Sequence, residues 1–169
     1  MTKRSKVEIY SDGACSPNPG LGGWGAVLLA PDYGNYRREV SGSEAETTNN
    51  RMELMGAIAG LRELKRPCAV RITTDSQYLC KAFTAGWIQS WQRNGWRTAA
   101  KKPVKNADLW KDLIQLVEQH DVEWAWVKGH SNHPENEAAD MLAVAAREKL
   151  RDERQHQAES LRAGTTAVK

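Results

Sequence analysis

The spacing of apolar residues changes character near Thr47, and few folds accommodate such a change within one chain. Val7-Glu8-Ile9-Tyr10-Ser11-Asp12 alternates with period two, then meets a stretch from Gly13 to Gly23 that includes Pro17, Pro19 and Gly20. A strand and its exit loop are predicted there. Trp24 to Ala30 is short, apolar and rich in β-formers, and closes at Pro31-Asp32. Beyond Gly34-Asn35, Tyr36 to Ser43 alternates again, so the chain should open with a three-stranded meander. After Thr47 the spacing is helical. Thr47-Thr48-Asn49-Asn50 offers capping side chains, and Leu54, Ile58 and Leu61 recur as far as Pro67, which predicts a helix of about four turns. Ala69 to Thr74 reads as a strand ending at Asp75, and Ser76 is placed to cap a short helix over Tyr78, Leu79 and Phe83. Leu109, Leu113, Leu116 and Val117 mark a further amphipathic helix, and Val122 to Val127 a last strand. Pro134, followed by Glu135 and Glu137, opens the final helix. Meander gives way to strand and helix.

The chain has 169 residues, enough for a single domain to bury an ordinary core without disulfides or a structural metal. The three cysteines, Cys15, Cys68 and Cys80, are odd in number and form no C-x-x-C pair, which argues against a disulfide framework or a zinc ribbon and favours a reducing cytosol. No stretch approaches a membrane span, and the residues after the basic Met1 to Lys6 are too polar for a signal sequence. Beyond about Arg151 the sequence is polar and weakly patterned, so residues 151–169 are expected to form a flexible tail.

The net charge of +3 conceals a division. Ser76 to Ala107 spans 32 residues without an Asp or Glu and carries Lys81, Arg93, Arg97, Lys101, Lys102 and Lys105, which leaves 18 bases against 21 acids elsewhere. A basic segment set into an acidic body is the usual footprint of a polyanion-binding surface, though a solvated charged face has the same composition. Trp87, Trp91 and Trp96 are interleaved with these bases, and a helix followed by a basic loop is expected over about 86–105.

Asp12 and Asp75 each lie at the carboxyl end of an apolar strand, the edge where open α/β sheets bind ligands. Each alone would suit an Asx turn; if the two strands are parallel neighbours, the carboxylates converge. Glu53 shares a helix stripe with Ala57, Gly60 and Leu64, so close packing on the sheet would turn it inward, whereas a place in the first turn would let it reach solvent. Asp140, with Ala139 and Ala143 close by, raises the same question on the last helix. Several carboxylates meeting at one edge call for hard cations. Mg²⁺ suits a few carboxylate oxygens and keeps sites open for phosphate, and two ions about 4 Å apart can clamp a phosphodiester.

Two other motifs carry less. His130-x-x-His133 could begin a soft-metal site, but no Cys or third His completes it. Gly20-Leu21-Gly22-Gly23-Trp24-Gly25 matches G-x-G-x-x-G, yet the helix that a dinucleotide site requires has no room before Pro31.

Taken together, Tyr10-Ser11-Asp12-Gly13, Thr47-Thr48-Asn49-Asn50-Arg51-Met52-Glu53-Leu54, Thr74-Asp75-Ser76-Gln77-Tyr78, Trp126-Val127-Lys128-Gly129-His130 and His133-Pro134-Glu135-Asn136-Glu137 with Asp140 closely resemble bacterial type 1 ribonuclease H, in order, from about Lys6 to Ala146. The resemblance implies a single α/β domain over residues 1–150 with a five-stranded mixed sheet flanked by helices. It implies a monomeric, cytoplasmic endoribonuclease that cuts the RNA strand of RNA/DNA hybrids with Mg²⁺, two ions per site, or Mn²⁺. By the same match Asp12, Glu53, Asp75 and Asp140 look like the metal-binding carboxylates, and His130 like the loop histidine that assists proton transfer or product release. Asn18, Asn49, Asn50 and Gln77 would meet the hybrid's minor groove and 2′-hydroxyls, and Thr48 a DNA-strand phosphate. Residues 86–105 resemble the family's basic protrusion, with Trp87 and Trp91 on the DNA strand and Lys101, Lys102 and Lys105 supplying charge. Gln92, Asn94 and Glu46 depart from the pattern, since bases are common there.

Two rivals remain open at this level. A hybrid-binding module without catalysis would not need the intact set of acids. A junction resolvase or integrase core of the same superfamily would not need the Thr47-to-Leu54 motif or the tryptophan-bearing basic segment.

Overall fold

The computed structural model describes residues 4–129 and 132–167. Five strands form one sheet: β1 (Ser5–Cys15), β2 (Gly20–Ala30), β3 (Tyr36–Thr47), β4 (Cys68–Thr74) and β5 (Asp121–Trp126), in spatial order β3-β2-β1-β4-β5. The meander β1-β2-β3 is antiparallel, while β4 joins β1, and β5 joins β4, in parallel. Parallel pairing needs crossovers, and helices supply them: α1 (Asn49–Arg62) before β4, then α2 (Gln77–Thr84), α3 (Trp87–Arg93) and α4 (Ala107–Glu118) before β5. The last helix, α5 (Pro134–Ala167), lies across β2 and contacts β1 and β3.

Local chemistry explains the boundaries. Thr48 caps α1, its Oγ1 accepting from the Arg51 amide at 3.2 Å, and Ser76 caps α2, its Oγ accepting from the Leu79 amide at 3.1 Å. Ile9, Val70 and Ile72 of the sheet pack with Leu54, Ile58 and Leu61 of α1 and with Leu113 of α4 in one apolar core. Burying these side chains contributes roughly 1.5–3 kcal/mol each. Cys15, Cys68 and Cys80 are all free thiols. Among the described residues, no helix is long and apolar enough to cross a membrane.

Two expectations change. The stretch Gly13 to Gly23, read as an exit loop, is mostly strand: β1 runs on to Cys15 and β2 begins at Gly20. Its glycines serve packing instead. A Cβ on Gly23 would lie 2.1 Å from the Ala143 carbonyl oxygen, and one on Gly25 2.7 Å from that of Ala139, so α5 reaches the sheet only because β2 lacks side chains there. The polar stretch after Arg151, expected to be a flexible tail, continues α5 as helix to Ala167. From Arg151 to Ala163 it contains neither Pro nor Gly and consists largely of good helix formers. Extending an already nucleated helix avoids the cost that makes isolated polar helices marginal.

Candidate active site

β1 and β4 are parallel neighbours, paired up to Tyr10 and Thr73, so the residues that follow leave the sheet side by side. Asp12 lies on β1, and Asp75 is the first residue beyond β4. Glu53 approaches from α1, whose close seat on the sheet needs small residues at the contact. A Cβ on Gly13 would sit 2.4 Å from the Glu53 amide nitrogen, and one on Gly56 3.0 Å from the Asp12 carbonyl oxygen. Asp12, Glu53 and Asp75 accordingly bring carboxylate oxygens within 4.8 Å of one another. Asp140 of α5 lies outside that group but lines the same cleft, of about 740 Å³.

The electrostatics of the trio are unfavourable without a cation. Asp12 is 3% exposed and Glu53 4% exposed. Burial pushes the Asp12 carboxyl up to about 8, with the charge of Asp75 and the Asp140 side chain adding to it, while hydrogen bonds from Glu53 and the Gly13 amide oppose the rise. That amide donates to Asp12 Oδ1 at 2.8 Å. Burial, then the neighbouring Asp12, raises Glu53 well above the usual carboxylate range. Glu53 Oε2 is buried and has no hydrogen-bond partner among the described residues. Crowded oxygens, one of them orphaned, and two carboxyls held toward the neutral form make a donor set that fits a hard divalent cation.

Around the carboxylates the cleft wall is polar: Asn49 and Asn50 at the start of α1, Gln77 at the start of α2, and Arg147 on α5. Asn18 lies apart, in the β1–β2 turn, where its Oδ1 accepts from the Asn49 amide at 3.1 Å and ties that turn to α1. Thr48 lines a separate shallow pocket with Pro19, Gly20, Glu46, Thr47 and Arg51. Arg51 is committed elsewhere, with two nitrogens on the Asp108 carboxylate at 2.9 and 3.0 Å. Glu46 is exposed at the rim of this pocket, so the pocket's one base is neutralised and its free charge is acidic.

The basic segment has a rigid root and an exposed tip. Trp87, Trp91 and Trp110 pack with Tyr78 in a chain of tilted rings, Trp91 and Trp110 being 5.3 Å apart. Trp87 and Trp91 are half-buried, so packing accounts for part of each ring and leaves part at the surface. The loop that follows is pinned by backbone bonds from Thr98 to Lys102 and from Val104 to Trp96, and Lys101, Lys102 and Lys105 stand exposed on it.

His130 lies outside the described residues. The loop leading to it is fixed, however: the Val127 amide donates to the Thr74 carbonyl, Trp126 Nε1 donates to the Asp75 carbonyl at 2.9 Å, and a Cβ on Gly129 would be 2.9 Å from Asp75 Oδ2. The sequence reading did not single out Arg147. Its position seven residues after Asp140, two helical turns along the same stripe, was the available signal.

The RNase H family model matches residues 4–148. The chain is 57% identical over 146 residues to a protein named Ribonuclease H from Moorella thermoacetica, covering 86% of this chain and 94% of that one. It is 60% identical over 138 residues to a Ribonuclease H from Marinobacter nauticus, covering 82% and 91% of the two chains. Among solved structures, LC9-RNase H1, described as a type 1 RNase H with the type 2 active-site motif, superposes with a TM-score of 0.78 at 34% identity, over 88% of this chain and 75% of the other.

Proposed function

Given that the chain belongs to the ribonuclease H family and is a nuclease, we propose that it hydrolyses the RNA strand of RNA/DNA hybrids, leaving 5′-phosphate and 3′-hydroxyl ends. One observation carries this reading: three carboxylates from β1, α1 and the end of β4 within 4.8 Å of one another, two of them buried and held toward the neutral form. Asp12, Glu53 and Asp75, with Asp140 beside them, would hold two Mg²⁺ ions, or Mn²⁺ in their place. Bound there, the ions would neutralise the carboxylates and stabilise charge on the scissile phosphodiester and on its leaving oxygen.

The remaining side chains select and orient. Asn49, Asn50 and Gln77 border the carboxylates with amide donors and acceptors, the chemistry that reads 2′-hydroxyls and so separates RNA from DNA. Asn18 reads the groove from the β1–β2 turn, and Thr48 takes a phosphate of the DNA strand. His130 assists proton transfer or product release. Trp87, Trp91, Lys101, Lys102 and Lys105 carry the DNA strand on the protrusion of residues 86–105. The catalytic domain is residues 1–150, acting as a monomer in the cytoplasm.

The test is cleavage of a labelled RNA/DNA hybrid and of the matching DNA duplex with Mg²⁺ and with EDTA. Only the hybrid with Mg²⁺ should be cut, and Asp12→Asn should abolish cutting while largely sparing hybrid binding. Undiminished hydrolysis by that variant, or equal cutting of the DNA duplex, refutes the proposal.

A further inference from the structure

The cleft ends at Arg147, but α5 does not. The helix crosses β2 at Gly25 and Gly23, reaches the β1–β2 turn at Arg151, whose Nη2 donates to the Ser16 carbonyl, and continues to Ala167. At 1.5 Å per residue the last part extends about 24 Å past that turn. Residues 152–164 are all exposed.

Their charges are not scattered. At 100° per residue, Arg147, Arg151, Arg154 and Arg162 all fall within roughly 40° of the direction of Asp140, with Val144 and Ala158 between them. Glu148, Asp152, Glu153 and Glu159 all fall roughly 80° or more away. The stripe that holds a site carboxylate therefore turns into an arginine stripe free of acids, running past the turn that bears Asn18. Glu148, at the edge of the stripe, accepts from Arg147 at 3.0 Å and from Arg151 at 2.8 Å, which holds these two guanidinium groups along the helix. Arg154 is exposed one turn further out.

We propose that the C-terminal extension of α5 is a second nucleic-acid-binding arm whose Arg154 and Arg162 engage backbone phosphates of the same duplex outside the length covered by the body. The proposal rests on the hybrid being the substrate. The occupant follows from charge complementarity and continuity: a polyanion already held at Asp140 meets, along the same helix face, a row of guanidinium groups suited to phosphate. With about 3.4 Å per base-pair step, the arm would add roughly seven base pairs to the bound length. α5 packs on β1, β2 and β3, whereas α2, which adjoins α3 of the protrusion, packs on β4 and β5, so the two basic elements would approach the duplex from different strands of the sheet.

The experiment compares two hybrids, of about 10 and about 24 base pairs, bound to full-length protein carrying Asp12→Asn to prevent cleavage, across a salt series. Adding Arg154→Gln and Arg162→Gln should reduce the salt slope on the long hybrid by about two, so that the arginine-bearing protein loses about tenfold more affinity between 50 and 200 mM salt. On the short hybrid the two proteins should bind alike, which also shows that the variant is folded. Lys149→Gln, on the opposite face of the helix, should leave both slopes unchanged. Equal slopes for the arginine variant and its parent on the long hybrid overturn the arm alone, as does an equal effect of Lys149→Gln. Failure of the parent to bind either hybrid overturns the substrate reading, and the arm with it.

Discussion

Replacing Asp12 by Asn should stabilise the metal-free protein while destroying its activity. Asp12 is 3% exposed, and burial beside Asp75 pushes its carboxyl up to about 8 from an ordinary 3.8. Between those values the folded protein holds a proton that the unfolded chain has released, so stability falls as pH rises through the window. At pH 7, about three units above the ordinary value, keeping that proton costs at most about 4 kcal/mol; at pH 5 the cost is below about 2 kcal/mol. Asn carries no such proton and keeps an oxygen for the Gly13 amide, which donates to Asp12 Oδ1. At roughly 2–4 °C per kcal/mol for a chain of this size, Tm in EDTA should rise by up to about 8–16 °C at pH 7 and by half that or less at pH 5. Mg²⁺ should then raise the Tm of the unsubstituted protein far more than that of the variant, because only the former regains the ionisation cost on binding. Thermal scans at both pH values, with EDTA and with Mg²⁺, test this. A variant no more stable than its parent at pH 7 in EDTA, or one whose advantage is independent of pH, would show that burial of charge is not what strains the site.

Three further outcomes are expected. Gly23→Ala should lower stability by about 3 kcal/mol or more and displace Asp140 with the helix, since the new Cβ would lie 2.1 Å from a backbone oxygen of α5, whereas Gly164→Ala, with nothing within 4 Å, should leave Tm unchanged or slightly higher; denaturant melts and cleavage rates distinguish them. His120 Nδ1 accepts from the Cys68 amide at 3.0 Å, and burial lowers its pKa, so the folded protein keeps it neutral while the unfolded chain takes up a proton below about pH 6.5. His120→Asn should accordingly flatten the loss of stability between about pH 6.5 and 5, and an unchanged acid limb in urea melts would contradict the assignment. Changing Lys101, Lys102 and Lys105 together to Gln should reduce the salt slope of hybrid binding by up to about three, and an unchanged slope would remove the protrusion from the interface.

What the sequence disclosed depends on whether a signal is local. Asp12 and Asp75 announce themselves because each ends or follows an apolar run, and Glu53 because Ala57 and Gly60 share its stripe; the parallel pairing of β1 with β4 and the close seat of α1 at Gly13 and Gly56 bring their carboxylates together. The helix caps at Thr48 and Ser76 were legible for the same reason. The glycines of β2 were not, because a glycine that opens a turn and one that admits a helix backbone look alike until the partner is known, and Ala143 lies 120 residues further on. Misreading them as loop and misreading residues 151–167 as flexible share one cause. Both judgements treated absence of an apolar pattern as absence of structure, yet α5 is nucleated on the sheet through those glycines and then extends without needing a core. Residues 152–164 are exposed, and an exposed helical segment can segregate its charges for another purpose. Four arginines on one face and four acids on the rest is a pattern that neither helix propensity nor burial requires, which is why the extension is best read by its electrostatics.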